Sequence, residues 1–205
     1  KELSEAEPGN RFAQYCYARA LQNRGEFNEA FRYYNMAHQK QHPDALFSIA
    51  MLQLKLKQNE EGMKNLKLAA DAGNQIAQFN YALYLEKEEK PDKNEIIKYY
   101  KMAADSGLPN AICNYSSYII KKDKKLGISL LKKAADKGHA LSQYQYAKFE
   151  LEQWKQNRHN RRNHLKYNNF DEDDCFDDDL NLCTAIQYFE MASNKGKQEA
   201  TYNFA

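Results

Sequence analysis

One spacing recurs along this chain of 205 residues and constrains what it can fold into. Five similar segments each contain an anchor alanine, and eight residues later a small residue opens the next similar segment. The pairs are Ala37 and Ala45, Ala69 and Ala77, Ala103 and Ala111, Ala134 and Ser142, and Ala192 and Ala200. The other connection, from the small residue inside the first segment to the next anchor, measures 19, 19, 21, 18 and 45 residues. One connection is therefore fixed, whereas the other varies in length.

Both segments have the periodicity of an amphipathic helix. In the third repeat, the first segment places small and apolar residues on one helix face at Ala77, Tyr81, Ala82 and Leu85. The second segment does the same at Ile96, Tyr99, Tyr100 and Ala103. The chain has no valine and only two threonines, so it is poor in the β-branched residues that strands favour. The sequence therefore predicts an all-α fold with two helices, A and B, in each repeat.

The ends of helix B have their own signals. Asparagine followed by glutamate occurs near its start at Asn28, Asn59 and Asn94, which predicts side-chain capping of the free amides there. Glycines at 73, 107, 138 and 196 follow its end, where the left-handed conformation closes a helix. A single pair of helices A and B cannot bury its apolar faces alone. They are expected to stack side by side and share a core.

These motifs resemble the Sel-one-like repeats, which are relatives of the tetratricopeptide repeats. The residues that carry the resemblance are Ala77, Asn80, Tyr81 and Ala82 in helix A, and the YYKMAADSG run at 99–107 with its counterparts. The resemblance implies a right-handed α/α superhelix (solenoid) of about five helix pairs. Some secreted relatives join each B-to-A connection with two cysteines eight residues apart. Here those positions read Ala70 and Gln78, Ala104 and Ile112, and Ala135 and Gln143.

The A-to-B connection that measures 45 residues is 26 residues longer than the usual 19. We predict a solenoid over 1–153 and 184–205 and a charged insertion loop over 154–183. The first half of the insertion is basic and the second half is acidic, a composition typical of a solvated loop. A charged hairpin and a partner-docking arm are the alternatives. The candidate docking residues are Arg158, Arg161, Arg162, Asp173 and Asp177.

No catalytic, cofactor or metal motif is present, so we predict a protein that is not an enzyme and needs no cofactor. His159, His164, Cys175 and Cys183 are zinc-ligand types, but their spacing lacks the close cysteine pairs of zinc modules. His42 and His139 occupy matching turn positions. Four irregularly spaced cysteines favour a reducing compartment, so we expect a cytoplasmic protein, with the ER lumen as the alternative.

Ligands of the related repeats commonly lie on the side lined by the A helices, which the resemblance makes the concave face. There the candidate binding residues are Ser48, Asn80, Asn114 and Gln145, followed seven residues later by Lys55, Lys87 and Lys121. Amides can hold an extended peptide backbone, and lysines attract carboxylates. The alternative for the asparagine column is a hydrogen bond to the neighbouring helical turn.

The resemblance implies a scaffold or adaptor that binds a protein or peptide. The alternative is a regulatory or targeting arm of a larger enzyme, such as a kinase or a ubiquitin-ligase complex, with its catalytic domain elsewhere. The net charge of only +2 argues against a specific nucleic-acid partner. No apolar stretch is longer than five residues, so we expect no membrane span. The sequence does not indicate the oligomeric state.

Overall fold

The computed structural model of the protein describes the backbone of residues 10–165 and 176–194, with the side chains of 10–160 and 180–194. All regular structure in these residues is helical. The helices are α1 Arg11–Asn23, α2 Phe27–Gln39, α3 Ala45–Lys55, α4 Asn59–Asp71, α5 Gln75–Leu85, α6 Lys93–Asp105, α7 Pro109–Ile119, α8 Lys124–Asp136, α9 Ala140–Leu165 and α10 Phe176–Asn194. The predicted all-α fold is confirmed.

The chain divides after Leu108 into two compact units. In the first unit, each A helix packs on its B helix (α1 on α2, α3 on α4, α5 on α6), and each B helix packs on the next A helix. In the second unit, α7 packs on α8, and α9 packs on both α8 and α10. The predicted helical hairpins therefore form, and they stack in consecutive order within each unit.

One hydrogen bond explains the fixed B-to-A connection. The carbonyl oxygen of each of the first four anchor alanines accepts the backbone N–H of the residue five positions later, at N···O distances of 3.0 to 3.2 Å. The pairs are His42 to Ala37, Asn74 to Ala69, Leu108 to Ala103 and His139 to Ala134. This 6→1 bond needs a left-handed residue before the donor. Glycines 73, 107 and 138 have φ of 94°, 87° and 81°, as predicted, and Gln41 takes the same conformation at φ 60°. Gly196 lies outside the described residues.

Two of these B-to-A connections have a second hydrogen bond, which was not predicted from the sequence. The side chain of Gln78 donates from Nε2 to the carbonyl oxygen of Ala70 at 3.1 Å, and Gln143 does the same to Ala135 at 3.1 Å. Both glutamines are buried. Each glutamine occupies the second of the two positions at which, by the resemblance, some secreted relatives have a cysteine pair. A hydrogen bond therefore links the two helices there.

The prediction that Asn28, Asn59 and Asn94 cap helix B is wrong. Helices α2 and α4 begin after Glu26 and Gln58, and neither N-cap side chain bonds the helix. The cap of α6 is Asp92, whose Oδ1 accepts the N–H groups of Asn94 at 2.9 Å and Glu95 at 3.4 Å. A carboxylate at the N-cap both accepts these amides and suits the positive helix end.

The core consists of alanines and large aromatic or aliphatic side chains. The anchor column Ala37, Ala69, Ala103, Ala134 and Ala192 is at most 3% exposed. The predicted apolar helix faces are confirmed for Tyr81, Tyr99 and Tyr100, which are buried, and Tyr188 is buried as well. Two of them also bridge successive B helices, because the hydroxyls of Tyr99 and Tyr188 donate to Asp71 and Asp136. Cys113 is also buried.

The prediction of a loop over 154–183 is wrong for the described part of the insertion. Helix α9 continues through residues 154–165, and α10 already begins at Phe176. The side chains from Lys155 to Asn160 are exposed, so this part of α9 projects from the packed repeats. Lysine, arginine and glutamine are good helix formers, which allows a helix to continue without a buried face. No helix in the described ranges combines the length and the apolar character of a membrane span.

Candidate functional site

A cavity of about 260 Å³ opens on the A-helix side of the first unit. Helix α1 supplies half of its lining, α3 supplies three residues and α2 supplies one. The lining residues are Tyr15, Arg19, Gln22, Asn23, Tyr34, Phe47, Ser48 and Met51. The cavity thus joins the A helices of two successive repeats, and it contains Ser48, one of the residues predicted to contact a ligand.

Hydroxyl groups organise the cavity. Tyr34 donates to Oε1 of Gln22 at 2.8 Å, and the Tyr15 hydroxyl lies 3.1 Å from Oγ of Ser48. Burial, with a smaller contribution from the neighbouring Tyr15, raises the pKa of Tyr34 to about 12. Tyr34 therefore stays protonated at neutral pH and serves as a hydrogen-bonding group rather than a charge.

The electrostatic character of the cavity comes from Arg19. Its side chain is exposed, and none of the eight lining residues is acidic. The amide of Asn23 and the hydroxyl of Ser48 add neutral donors and acceptors beside it. Arg19 and Asn23 were not predicted from the sequence, because the residues at their positions differ from repeat to repeat. The signal in the sequence that could have indicated Arg19 and Asn23 is their position, since both follow the small residue Ala18 on α1.

The remaining predicted binding residues are divided between the two units. Ser48, Lys55, Asn80 and Lys87 belong to the first unit, whereas Asn114, Lys121 and Gln145 belong to the second. Asn80 donates from Nδ2 to the carbonyl oxygen of Ile76, one turn earlier, at 2.8 Å. This bond is the alternative role predicted for the asparagine column. Gln145 is exposed and Asn114 is half-buried.

The predicted lysine row does not lie entirely on helix A. Lys55 is the last residue of α3, and its Nζ lies 4.8 Å from the ring centroid of Phe27. Lys87 follows the end of α5, with Nζ 5.5 Å from the ring centroid of Tyr84. Lys121 is exposed in the turn after α7. These ammonium groups are held near aromatic rings or in turns and stay accessible to a partner.

The candidate docking residues of the insertion are only partly described. The guanidinium of Arg158 lies 5.2 Å from the ring centroid of Trp154 on α9. Arg161, Arg162 and Asp177 are in helices, but their side chains are not described. Asp173 lies outside the described residues. Their role in docking stays a prediction.

A larger cavity of about 540 Å³ follows the B-to-A turns of the first unit. His42 is among its lining residues but is only 6% exposed. Its ring stacks on Tyr15 at 4.1 Å, and its Nδ1 accepts the N–H of Asp44 at 3.2 Å. Burial lowers the pKa of His42. These contacts agree with its predicted place as a turn residue.

A chain of hydrogen bonds in the second unit has the connectivity of a hydrolase triad. Nδ1 of His139 lies 2.7 Å from Oγ of Ser142, and its Nε2 lies 2.8 Å from Oδ1 of Asn110. However, Ser142 is fully buried, and its own N–H donates to the same Nδ1 at 3.3 Å. The histidine therefore caps the start of α9, and the buried hydroxyl cannot reach a substrate. In the part of the chain that the structure describes, no cluster of three or more potential metal ligands occurs.

Comparison with known proteins identifies the fold. No family model matches the sequence, and no curated protein matches it. Solved structures do match. The chain is similar to a protective antigen of uropathogenic Escherichia coli with an SLR fold, at a TM-score of 0.71 and 17% identity over 97% of this chain and 41% of that chain. A Sel1 repeat protein from Oxalobacter formigenes matches at a TM-score of 0.69 and 19% identity over 94% of this chain and 76% of that chain.

A tetratricopeptide protein, YrrB, described as having an unusual peptide-binding site, matches at a TM-score of 0.52 and 14% identity over 98% of this chain and 94% of that chain. The resemblance predicted from the sequence is therefore confirmed at the level of the fold. The chain folds as a Sel-one-like, tetratricopeptide-like helical repeat.

Proposed function

We propose that this chain is a non-enzymatic scaffold whose first unit binds an extended protein segment at the A-helix cavity. The observation that carries the proposal is the cavity itself, which is shared by α1 and α3 and lined by hydroxyls, amides and the exposed Arg19. The similarity to helical repeat proteins supports it, since one of them is described as having a peptide-binding site.

The chemistry of the lining favours a peptide with an acidic group. Asn23 and Ser48 can each donate to or accept from an extended backbone, whose N–H and C=O groups have no partners of their own. Arg19 can form a charge-assisted hydrogen bond with an aspartate, a glutamate or a terminal carboxylate. Phe47 and Met51 add apolar surface for a neighbouring side chain. Lys55 and Lys87 are proposed as further contacts along the same unit.

The test is selection of peptides from a random displayed library on the full chain, followed by affinity measurement through fluorescence anisotropy. Arg19→Ala should weaken binding of the selected acidic peptides roughly ten-fold, because a hydrogen bond to a charged group contributes about 1.5–3 kcal/mol. Arg32→Ala is the matched control, since Arg32 is also an exposed arginine of the first unit but does not line the cavity. Equal affinities for the wild type and Arg19→Ala would show that peptides bind elsewhere. Failure to select any peptide would contradict the proposed function.

A further inference from the structure

The second unit contains a strongly basic segment at residues 121–137. It holds seven lysines and two aspartates, a net charge of +5, whereas the whole chain carries only +2. The remainder of the chain is therefore slightly acidic. The lysines are Lys121, Lys122, Lys124, Lys125, Lys132, Lys133 and Lys137. The nearly neutral net charge of the whole chain does not reveal this local positive potential. The potential extends over one Debye length, roughly 8 Å at physiological salt.

The fold leaves all of these lysines exposed, and three of them share one side of α8. Helix α8 buries Gly127, Leu131, Ala134 and Ala135 against the rest of the unit. Lys125, Lys132 and Lys133 point away from that buried side, because they are seven and eight residues apart, about two helical turns. Lys121 and Lys122 precede the helix and Lys137 follows it, and all seven lysines are exposed. We call this surface the α8 lysine face.

The charge of the α8 lysine face is not neutralised by the described part of the chain. The ion pairs of the described residues join Arg32 to Glu29, Lys67 to Glu95 and Lys155 to Glu152, so none involves the face. Its two aspartates have other roles. Asp123 accepts the N–H of Leu126 at 2.9 Å as the cap of α8, and Asp136 accepts the hydroxyl of Tyr188. Lys124 lies 5.4 Å from the ring centroid of Phe149, and the other six lysines are available to an external anion.

We propose that the α8 lysine face binds the surface of an anionic phospholipid bilayer. Each lysine near such a surface contributes about 1 kcal/mol, so several together give reversible attachment. Leu126 is 45% exposed and lies on the same side of α8 as Lys133, seven residues later. An apolar side chain among cationic groups can enter the headgroup region while the ammonium groups remain at the phosphates.

The chemistry of the face favours a bilayer over a nucleic acid or an acidic peptide. The segment contains no arginine, whose planar fork is the side chain best suited to bidentate recognition of single phosphates and base edges. Both cavities described above, which could seat a peptide, lie in the other unit. An array of point charges along a helix instead matches a plane of anionic headgroups, which demands no fixed geometry.

The experiment is sedimentation of the full chain with vesicles of phosphatidylcholine alone or mixed with phosphatidylserine, at low and high salt. The variant carries Lys125→Gln, Lys132→Gln and Lys133→Gln. Its matched control carries Lys93→Gln, Lys98→Gln and Lys101→Gln, which remove the same charge from exposed positions of α6 in the first unit. Circular dichroism establishes that both variants fold.

The wild type should bind phosphatidylserine vesicles at low salt and lose binding at high salt. The α8 variant should bind roughly a hundred-fold more weakly, at about 1 kcal/mol for each of three lysines, whereas the control should bind like the wild type. Equal loss in both variants would assign binding to net charge and overturn the proposal. A wild type that does not bind phosphatidylserine vesicles would also overturn the proposal, including one that binds polyuridine RNA or polyglutamate instead.

Discussion

At the scale of single residues, the first core position of helix B shows how closely packed neighbours limit side-chain size. The equivalent residues are Ala30, Gly62, Ile96, Gly127 and Ala185. A Cβ on Gly127 would lie 2.5 Å from Cγ1 and 2.7 Å from the backbone N of Ile120. The A-to-B connection that leads to Gly127 is the shortest, at 18 residues from the small residue of helix A to the anchor alanine. The connection that leads to Ile96 measures 21 residues. The close approach of Ile120 therefore leaves room only for glycine at position 127.

We therefore expect Gly127→Ala to destabilise the protein by about 1–3 kcal/mol through overpacking, although alanine has the better helix propensity. Gly62→Ala should cost less, because its Cβ meets mainly the Leu54 side chain, at 2.7 Å, which can move. Urea denaturation followed by circular dichroism measures both. Ser129→Ala, at an exposed position of the same helix, is the control and should change stability little. A Gly127→Ala protein as stable as the wild type would mean that α7 and α8 are farther apart than described.

The buried His42 predicts a dependence of stability on pH. Burial lowers its pKa, the Asp44 carboxylate acts in the opposite direction, and Arg11 adds to the lowering. Because the folded state resists protonation, the contribution of His42 is present above its unfolded pKa of about 6.5 and is lost as the pH falls through the lower folded value.

Between about pH 7 and about pH 5, the free energy of unfolding should therefore fall more in the wild type than in His42→Asn, whose Oδ1 can still accept the Asp44 amide. Urea titrations at the two pH values measure the difference. His38→Asn, at an exposed position of α2, is the control for the loss of a histidine. An identical pH dependence in His42→Asn and the wild type would contradict the described burial of His42.

At the scale of helices and loops, the insertion is the main departure from what the sequence indicated. Its charge runs and lack of apolar periodicity are typical of loops, because periodicity detects only helices that bury a face. Helix α9 nevertheless continues through Arg158 to Leu165, and the only described contact that Arg158 makes there is the cation–π contact with Trp154. Helix continuation here rests on intrinsic propensity, which a charged sequence can have without core packing.

This arrangement predicts that the helical extension adds little to stability. Replacing residues 157–180 by a short glycine–serine linker should shift the melting temperature by only a few degrees, because the described side chains removed are exposed, including Leu180 at 63%. Thermal melts followed by circular dichroism measure the shift. A loss above about 2 kcal/mol, a large part of normal stability, would show that the extension packs on the repeats.

The features that were predicted correctly from the sequence are ones that repeat, and several of the missed features occur once. The eight-residue joint and its glycines recur, so Gly73, Gly107 and Gly138 were predicted correctly. Gln41 adopts the same left-handed conformation without any residue preference that would reveal it. The cap Asp92 and the cavity residue Arg19 likewise depend on the local course of one loop or one helix. A repeat pattern cannot carry such information.

At the scale of the whole molecule, small side chains set how closely successive helices pack in both units. In helix A, Ala18, Ala50, Ala82 and Ala147 have no exposed surface. In helix B, the anchor alanines are at most 3% exposed, from Ala37 in the first unit to Ala192 in the second. The columns recur although the chain divides after Leu108. One packing rule therefore governs both units, and a larger side chain in either column should disturb it.

Ala82→Leu and Ala103→Leu, both fully buried in the first unit, should each reduce the free energy of unfolding by about 1–3 kcal/mol through overpacking. Ala147→Leu tests the same rule in the second unit. The matched control is Ala20→Leu, at an exposed position of α1, where alanine and leucine have similar helix propensities. Urea denaturation gives all four values. If a buried substitution were as harmless as Ala20→Leu, the packing between helices would have spare room, and the small residues that define the repeat would have a cause other than close helix approach.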